Sequence, residues 1–120
     1  MKRLEEEAKK FMQSKNKSMI TADEYQEKAK ATAIYPKKDA LPYLSLGLVS
    51  EAGEVAGKVK KLIRDGTQSD VASEIGDVLW YCAMLASEVD VSLGKIMESN
   101  LEKLNDRKER GKLQGSGDTR

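Results

Sequence analysis

Two pairs of acidic residues have types and a spacing that could support chemistry. Glu51 and Glu54 lie three residues apart, Glu74 and Asp77 repeat that spacing, and nineteen residues separate the two pairs. Acids at positions i and i+3 are neighbours on one face of a helix. Four uncompensated carboxylates in one place repel one another and raise their pKa values unless a divalent cation neutralises them. The two pairs therefore predict a metal site with carboxylate ligands.

The composition narrows the choice of metal. The chain has 120 residues, with no histidine and one cysteine. Without histidine, Ser-His and Cys-His nucleophilic catalysis, most zinc sites and the Glu-x-x-His ligands of di-iron bundles are excluded. A site made of carboxylate oxygens suits a hard cation, so Mg²⁺ is expected and Mn²⁺ is the alternative. The sequence also has no P-loop pattern, which excludes that class of nucleotide chemistry.

Helices are the elements that must position these acids, because no strand-like alternation persists anywhere in the chain. Thr21 and Glu24 have the capping-box form, Gly66 is expected to cap a helix C-terminus, and segment 35–42, which contains both prolines, is expected to be a loop. Short connections between helices favour an all-α, four-helix-bundle-like fold. The core helices are predicted at about 21–32, 43–64, 69–89 and from 92 to beyond 107, followed by a loop at 111–118.

The acids have the same helical phase on the second and third predicted core helices. At about 100° per residue, Glu51 and Glu74 each fall at the edge of an apolar stripe, and Glu54 and Asp77 fall about 60° outside it. If these helices form a hairpin that turns at 64–69 and pack stripe against stripe, all four carboxylates meet along one margin. A single acid pair is usually only a solvated face, whereas two pairs in matching phase favour a site.

Each acid pair also encloses a glycine, Gly53 in one and Gly76 in the other. Glycine costs a helix about 1 kcal/mol relative to alanine. These two glycines therefore predict that another helix or a ligand closely approaches the acid motifs. Cys82 falls inside the apolar stripe and is expected to be an ordinary core residue.

The fourth predicted helix carries polar groups that suit a phosphate. Asn100 falls inside its apolar stripe, and Lys103 and Arg107 lie at the edges of that stripe. A buried asparagine without partners costs about 1–3 kcal/mol, so a metal-bound carboxylate or a phosphate oxygen is expected beside it. Lys103 and Arg107 are expected to bind phosphate oxygens. The alternative for these two cations is pairing with surface acids.

Two aromatic residues, Trp80 and Tyr81, follow Asp77 by three and four positions. A flat ring beside a triphosphate site can stack on a nucleobase. Tyr81 lies next to the acid face and is expected on the nucleobase side. Trp80 lies further round the helix, and a core or dimer contact explains it at least as well.

The bulk properties argue against polymeric or membrane partners. The net charge of +1 creates no strong field towards nucleic acid or anionic membranes. A single cysteine, no signal-peptide-like segment and no apolar run near 18 residues predict a cytoplasmic protein. We divide the chain into a domain at 19–120 and an extension at 1–18, which is either a short helix or a mobile arm. So short a chain is expected to extend its core by oligomerisation.

These residues resemble the MazG-like superfamily of all-α nucleoside triphosphate pyrophosphohydrolases. The signature of that family is Glu-x-x-Glu, a spacer of one helix-turn and then Glu-x-x-Asp, and both halves are present. The resemblance covers about 19–120, and 1–18 have no counterpart. It extends to Tyr25–Gln26, Ala33–Pro36, Gly47–Val55, Lys60–Lys61, Glu74–Tyr81, Asn100–Leu104, and Arg107 with Gly117, Asp118 and Arg120.

The resemblance implies Mg²⁺-dependent hydrolysis of a nucleoside or deoxynucleoside triphosphate to its monophosphate and pyrophosphate. Water would attack the α-phosphorus, and Glu51 or Glu54 would take its proton. The family also implies homodimers or homotetramers in which neighbouring subunits complete the bundle. The alternative is a non-catalytic helical module that binds nucleotide, metal or another protein. The implied roles are metal ligands (Glu51, Glu54, Glu74, Asp77), phosphate-side residues (Asn100, Lys103) and a nucleotide-side residue (Tyr81).

Overall fold

The computed structural model describes residues 2–13, 19–66 and 70–120. These residues form five α-helices and one short 3-10 helix, and they include no strand. The all-α class predicted from the sequence is confirmed. In chain order the helices are α1 (Lys2–Met12), α2 (Ala22–Lys30), the 3-10 helix (Lys37–Asp39), α3 (Ala40–Asp65), α4 (Val71–Glu88) and α5 (Leu93–Glu109).

Local capping signals set most of the helix ends where they were predicted. The backbone N–H of Glu24 donates to Thr21 Oγ1 at 3.1 Å and that of Thr21 donates to Glu24 Oε1 at 3.2 Å, which is the reciprocal capping box at the start of α2. Gly66 adopts a left-handed φ of 63° and closes α3 through a hydrogen bond from its N–H to the Leu62 carbonyl. Asp70 caps α4 by accepting from a backbone N–H of its first turn.

Two boundaries differ from the sequence prediction. The predicted loop 35–42 ends early, because α3 already begins at Ala40 and includes Pro42 in its first turn. Proline is tolerated there, since the first N–H groups of a helix have no intrahelical acceptor. The extension at 1–18 contains helix α1, whereas 14–18 and the hairpin turn at 67–69 lie outside the described residues. The division of the chain after residue 18 stays a prediction.

The core of the molecule is small and lies where α2 and α3 pack against α4. Leu44 and Met84 are its two large, fully buried side chains. Small residues and one tyrosine complete it, and they are Ala29, Tyr35, Ala40 and Ala83. Cys82, predicted in the core, is half-buried on α4.

Side chains of α2 set the junction between α4 and α5. Buried Gln26 donates from Nε2 to the Val91 carbonyl at 3.1 Å and accepts from the backbone N–H of Leu93 at 2.7 Å. Asp23 Oδ1 accepts from the backbone N–H of Gly94 at 2.8 Å. These bonds satisfy donors at the N-terminus of α5, where helical N–H groups otherwise lack partners. The direction in which α5 leaves the core therefore depends on α2.

Most of α5 does not pack in the way that its sequence pattern predicted. Leu93 and Gly94 at its start are half-buried, but the apolar stripe further along is exposed at Ile96, Met97 and Leu101. Asn100, expected among buried side chains, is exposed as well. Both findings have one cause: α2 and α4 cover only the beginning of α5, so the rest of its apolar stripe faces solvent in a single chain.

The surface of one chain is large for its mass. The accessible area is 9258 Å², whereas a compact monomer of 13.3 kDa exposes about 6,500 Å². The radius of gyration is 17.1 Å, against about 14 Å expected for a compact domain of this length. Exposed apolar side chains lie along α3 and α4 as well as α5, among them Leu46, Val49, Ile63, Ile75 and Leu79. Among the described residues, no helix combines the length and the apolarity needed to cross a bilayer.

Candidate metal centre

The hairpin of α3 and α4 brings three of the four predicted acids together. Glu51 on α3 and Glu74 and Asp77 on α4 each offer a carboxylate oxygen within 4.8 Å of the others. A divalent cation binds oxygen ligands at about 2.0–2.6 Å. Two oxygens on opposite sides of the cation are therefore about twice that distance apart, which is similar to the separation of up to 4.8 Å found here. Glu51 and Glu74 are half-buried and Asp77 is exposed. The donor set consists of oxygen atoms and therefore fits a hard divalent cation.

Glu54 lies outside this three-carboxylate group. It follows Glu51 by one turn and is exposed. Its charge nevertheless contributes to the raised pKa of Glu51, which shows that the two carboxylates interact. The structure thus leaves Glu54 at the rim of the cluster.

The electrostatics of Glu51 reflect the crowding of acids. Burial raises the pKa of Glu51 above its ordinary value, and the charges of Asp77, Glu74 and Glu54, in that order, raise it further. Each of these causes disfavours the ionised carboxylate. A bound divalent cation would reverse the effect by placing positive charge among the same oxygens.

One cation beside the cluster was missed by the sequence reasoning. Lys58 Nζ lies 4.0 Å from Glu74 Oε1, across the α3–α4 contact. A signal was present, because Lys58 follows Glu51 by seven residues and therefore lies on the same face of α3, two turns along. The site consequently combines a carboxylate cluster with an ammonium group at its edge.

Tyr81, predicted on the nucleobase side, lies near the acids. Burial raises its pKa, and the neighbouring Tyr43, Glu51 and Asp77 raise it further. Tyr25 on α2, which the sequence reasoning did not assign to the site, borders it as well, since burial and then the charge of Asp77 raise its pKa. The charge of Asp77 therefore acts on both phenol groups.

Trp80 points elsewhere. Its Nε1–H donates to Thr32 Oγ1 at 2.8 Å, and its ring packs edge-to-face on Tyr35 at a centroid distance of 6.4 Å. It also meets Tyr81 edge-to-face at 5.0 Å. Its described contacts are those of a structural aromatic residue that packs α4 against the segment after α2.

The glycines within the acid motifs are not approached closely by another helix of the same chain. A Cβ atom built on Gly53 or Gly76 meets nothing within 4 Å, so close approach by a ligand or by a second copy stays a prediction. The close approach is at Gly47, where a Cβ atom would overlap the ring of Tyr81. The helical phase of the acids did not reveal this contact, because it depends on the separation of α3 and α4.

We expect Gly47→Ala to destabilise the protein by about 1–3 kcal/mol, because the added methyl group overlaps the Tyr81 ring. The matched control is Gly57→Ala on the same helix, where nothing lies within 4 Å. That change should stabilise the protein by about 0.5–1 kcal/mol through helix propensity. Urea denaturation measures both, and equal effects of the two variants would contradict the contact.

We also expect Mg²⁺ to stabilise the protein more at neutral pH than at acid pH. The pKa of Glu51 is raised in the folded protein, so protonation of Glu51 stabilises the fold. This stabilisation is fully present below the ordinary pKa of 4.5 and is lost as the pH rises through the folded pKa. A cation at a hundredfold excess over its Kd adds about 2.7 kcal/mol. Thermal melts with MgCl₂, against NaCl of equal ionic strength, should show a clear rise in Tm at pH 7 and little at pH 4. Equal rises at both pH values would contradict the prediction.

The three residues predicted to bind phosphate lie along residues 100–109 of α5, which we call its outer part. Lys103 Nζ lies 3.6 Å from Asp118 Oδ1, and the buried Arg107 donates from Nη2 to the Asp118 carbonyl at 2.8 Å. Asn100 lines a shallow groove on α5 together with Lys103 and Ile96. Within the described residues, the polar contacts of Lys103 and Arg107 lead to the C-terminal segment rather than to the carboxylate cluster.

Comparisons with known proteins place this geometry in a family. No solved structure matches the chain. The chain is 47% identical over 111 residues to the gene 37 protein of Mycobacterium phage L5, and the match covers 82% of this chain and 97% of that protein. The model of the MazG nucleotide pyrophosphohydrolase domain matches residues 41–111, which include all four acids. The chain therefore belongs to the MazG nucleotide pyrophosphohydrolase family, as its resemblance implied.

Proposed function

We propose that this protein hydrolyses a nucleoside or deoxynucleoside triphosphate to the monophosphate and pyrophosphate in a reaction that requires Mg²⁺. The observation that carries the proposal is the three-carboxylate group of Glu51, Glu74 and Asp77 within the family-matched region. Clustered carboxylates on adjacent helices are suited to hold a cation that a triphosphate also binds.

The residues of the site divide into ligands and a base. Glu51, Glu74 and Asp77 hold the cation, and their carboxylate oxygens suit Mg²⁺, with Mn²⁺ as the alternative. When bound, the cation supplies charge stabilisation and makes water more acidic. Glu54, at the rim of the cluster, either completes the ligand set or accepts the proton of the attacking water. Glu51 is the other candidate for that base.

Positive charge and aromatic rings surround this centre. Lys58, 4.0 Å from Glu74, is placed to meet the negative charge of a substrate. Tyr81 provides a ring beside the acids for the nucleobase side, whereas the hydrogen bond of Trp80 to Thr32 favours a supporting role. We assign phosphate binding to Asn100, Lys103 and Arg107 on α5.

We further propose that a second copy of the chain completes the site. The outer part of α5 is exposed in one chain, and the apolar faces of α3 and α4 are exposed as well. Burying these faces between copies removes apolar surface from water, which stabilises the assembly by about 25 cal/mol for each Å² buried. A homodimer or homotetramer arranged in this way would carry α5 of one subunit to the carboxylates of another.

Turnover of a panel of nucleotides with labelled water tests the function. With Mg²⁺ and H₂¹⁸O, we expect the nucleoside monophosphate and pyrophosphate as products, with the label in the monophosphate because the α-phosphorus is attacked. Release of inorganic phosphate, or label in pyrophosphate, would contradict the proposed reaction. Nucleotide-induced thermal stabilisation without turnover of any substrate would instead support the alternative, a non-catalytic nucleotide-binding module.

A further inference from the structure

The C-terminal segment, residues 111–120, is a loop that arginine side chains hold against α5. Arg107 Nη2 donates to the Asp118 carbonyl at 2.8 Å. Arg120 donates from Nη1 to the Gly117 carbonyl at 2.7 Å and from Nη2 to the Leu113 carbonyl at 3.0 Å. Three glycines with positive φ, Gly111, Gly115 and Gly117, permit the turns. Loop 111–120 therefore returns to the helix that it follows, with its backbone fixed by charge-assisted hydrogen bonds.

The carboxylate of Asp118 lies between two cations of α5. Asp118 Oδ1 is 3.6 Å from Lys103 Nζ and 3.6 Å from Arg107 Nη2. The Asp118 side chain is 89% exposed, whereas that of Arg107 is 5% exposed. The backbone of Asp118 is thus anchored through its carbonyl, while its carboxylate is accessible to solvent and can leave the two cations by rotating about its side-chain bonds.

The charges at this corner do not balance. Lys103 and Arg107 share the single carboxylate of Asp118. The next cation along the helix, Arg110, has its own partner in Asp106 at 2.9 Å. Two positive charges against one negative charge leave a net positive site. A phosphate group carries more charge and more acceptor oxygens than a carboxylate, and it therefore binds such a pair of cations more strongly.

We propose that the carboxylate of Asp118 is an internal anion that occupies the place of a substrate phosphate on Lys103 and Arg107. The polyphosphate of the substrate displaces it, and its return assists release of the product. The inference rests on the proposed function in taking these two cations as phosphate-binding groups. The ion pair of Asp118 with Lys103 is exposed and therefore contributes little free energy, so the displacement is easy and the competition is modest.

Binding of inorganic tripolyphosphate tests the inference without any turnover. Asp118→Asn should tighten the Kd for tripolyphosphate by about two- to fivefold, measured by calorimetry with and without Mg²⁺. The control is Glu109→Gln at the end of α5, which makes the same change in net charge and, among the described residues, pairs with neither Lys103 nor Arg107. It should leave the Kd unchanged, and neither variant should alter Tm.

A double-mutant cycle locates the effect. In a Lys103→Ala background, Asp118→Asn should have a smaller effect on the Kd, because one of the two cations for which Asp118 competes is gone. Unchanged or weaker binding of tripolyphosphate by the single Asp118→Asn variant would overturn the inference. Asp118 would then only hold the C-terminal loop on α5. An absence of tripolyphosphate binding to the wild type would also overturn it. If tripolyphosphate binds as expected but no nucleotide is hydrolysed, the proposed function fails and the anion site stands.

Discussion

Replacing Asp77 with asparagine is expected to lower the Mg²⁺-dependent turnover of a nucleoside triphosphate by about a thousandfold or more. Asp77 contributes one of the three carboxylate oxygens within 4.8 Å of each other, and asparagine keeps its size while removing its charge. Charge stabilisation by a catalytic metal ion contributes several kcal/mol, and about 4 kcal/mol corresponds to a thousandfold change in rate. Steady-state kinetics at several Mg²⁺ concentrations measures the loss.

The same substitution should preserve the fold and stabilise the protein in the absence of metal. Among the charges that raise the pKa of Glu51, that of Asp77 contributes most, so removing it relieves repulsion within the cluster. Asp39→Asn is the control, since it removes an exposed aspartate in the 3-10 helix before α3, outside the carboxylate group. Wild-type turnover of Asp77→Asn at saturating Mg²⁺ would show that Asp77 is not an essential ligand.

Replacing Glu54 distinguishes its two possible roles, which are metal ligand and proton acceptor. Glu54→Gln should also abolish turnover, whether Glu54 is a ligand or the base. A parallel loss of Mg²⁺ affinity would make it the fourth ligand, whereas unchanged Mg²⁺ affinity with lost turnover would make it the proton acceptor. Full activity of the variant would remove Glu54 from the catalytic set.

The second large effect is expected in the assembly of the protein. Light scattering at micromolar concentration should give a mass of at least twice 13.3 kDa. Val49→Asp should shift the protein to the monomer, because Val49 is 71% exposed on the apolar face of α3 and a charge buried there would be unpaired. We expect the dissociation constant of the assembly to rise by a hundredfold or more.

The assembly prediction has a control and a functional consequence. Ile34→Asp removes an apolar side chain that is 95% exposed in the segment before α3, and it should leave the mass unchanged. If α5 of a second copy completes the site, monomeric Val49→Asp should also lose turnover although Glu51, Glu74 and Asp77 are intact. A single 13.3 kDa species for the wild type would contradict the proposed assembly.

The sequence by itself determined the helices and the arrangement of the acids along them. Capping at Thr21 and Gly66 depends on hydrogen bonds within a few residues, and the phase of Glu51 and Glu74 depends only on the helical repeat. Such local features do not change with the angles between helices. The all-α class, the hairpin of two acid-bearing helices and the family resemblance were therefore accessible without coordinates.

Only the tertiary structure decided which side chains meet across helices. Within one chain the close approach lies at Gly47 rather than at Gly53, because the separation of α3 and α4 sets where the ring of Tyr81 fits. Asn100 is exposed because α2 and α4 cover only the start of α5, and Arg107 is buried because the chain folds back after Gly111. These outcomes rest on contacts between residues far apart in the chain or on the path of a loop. The periodicity of a single helix carries no information about either.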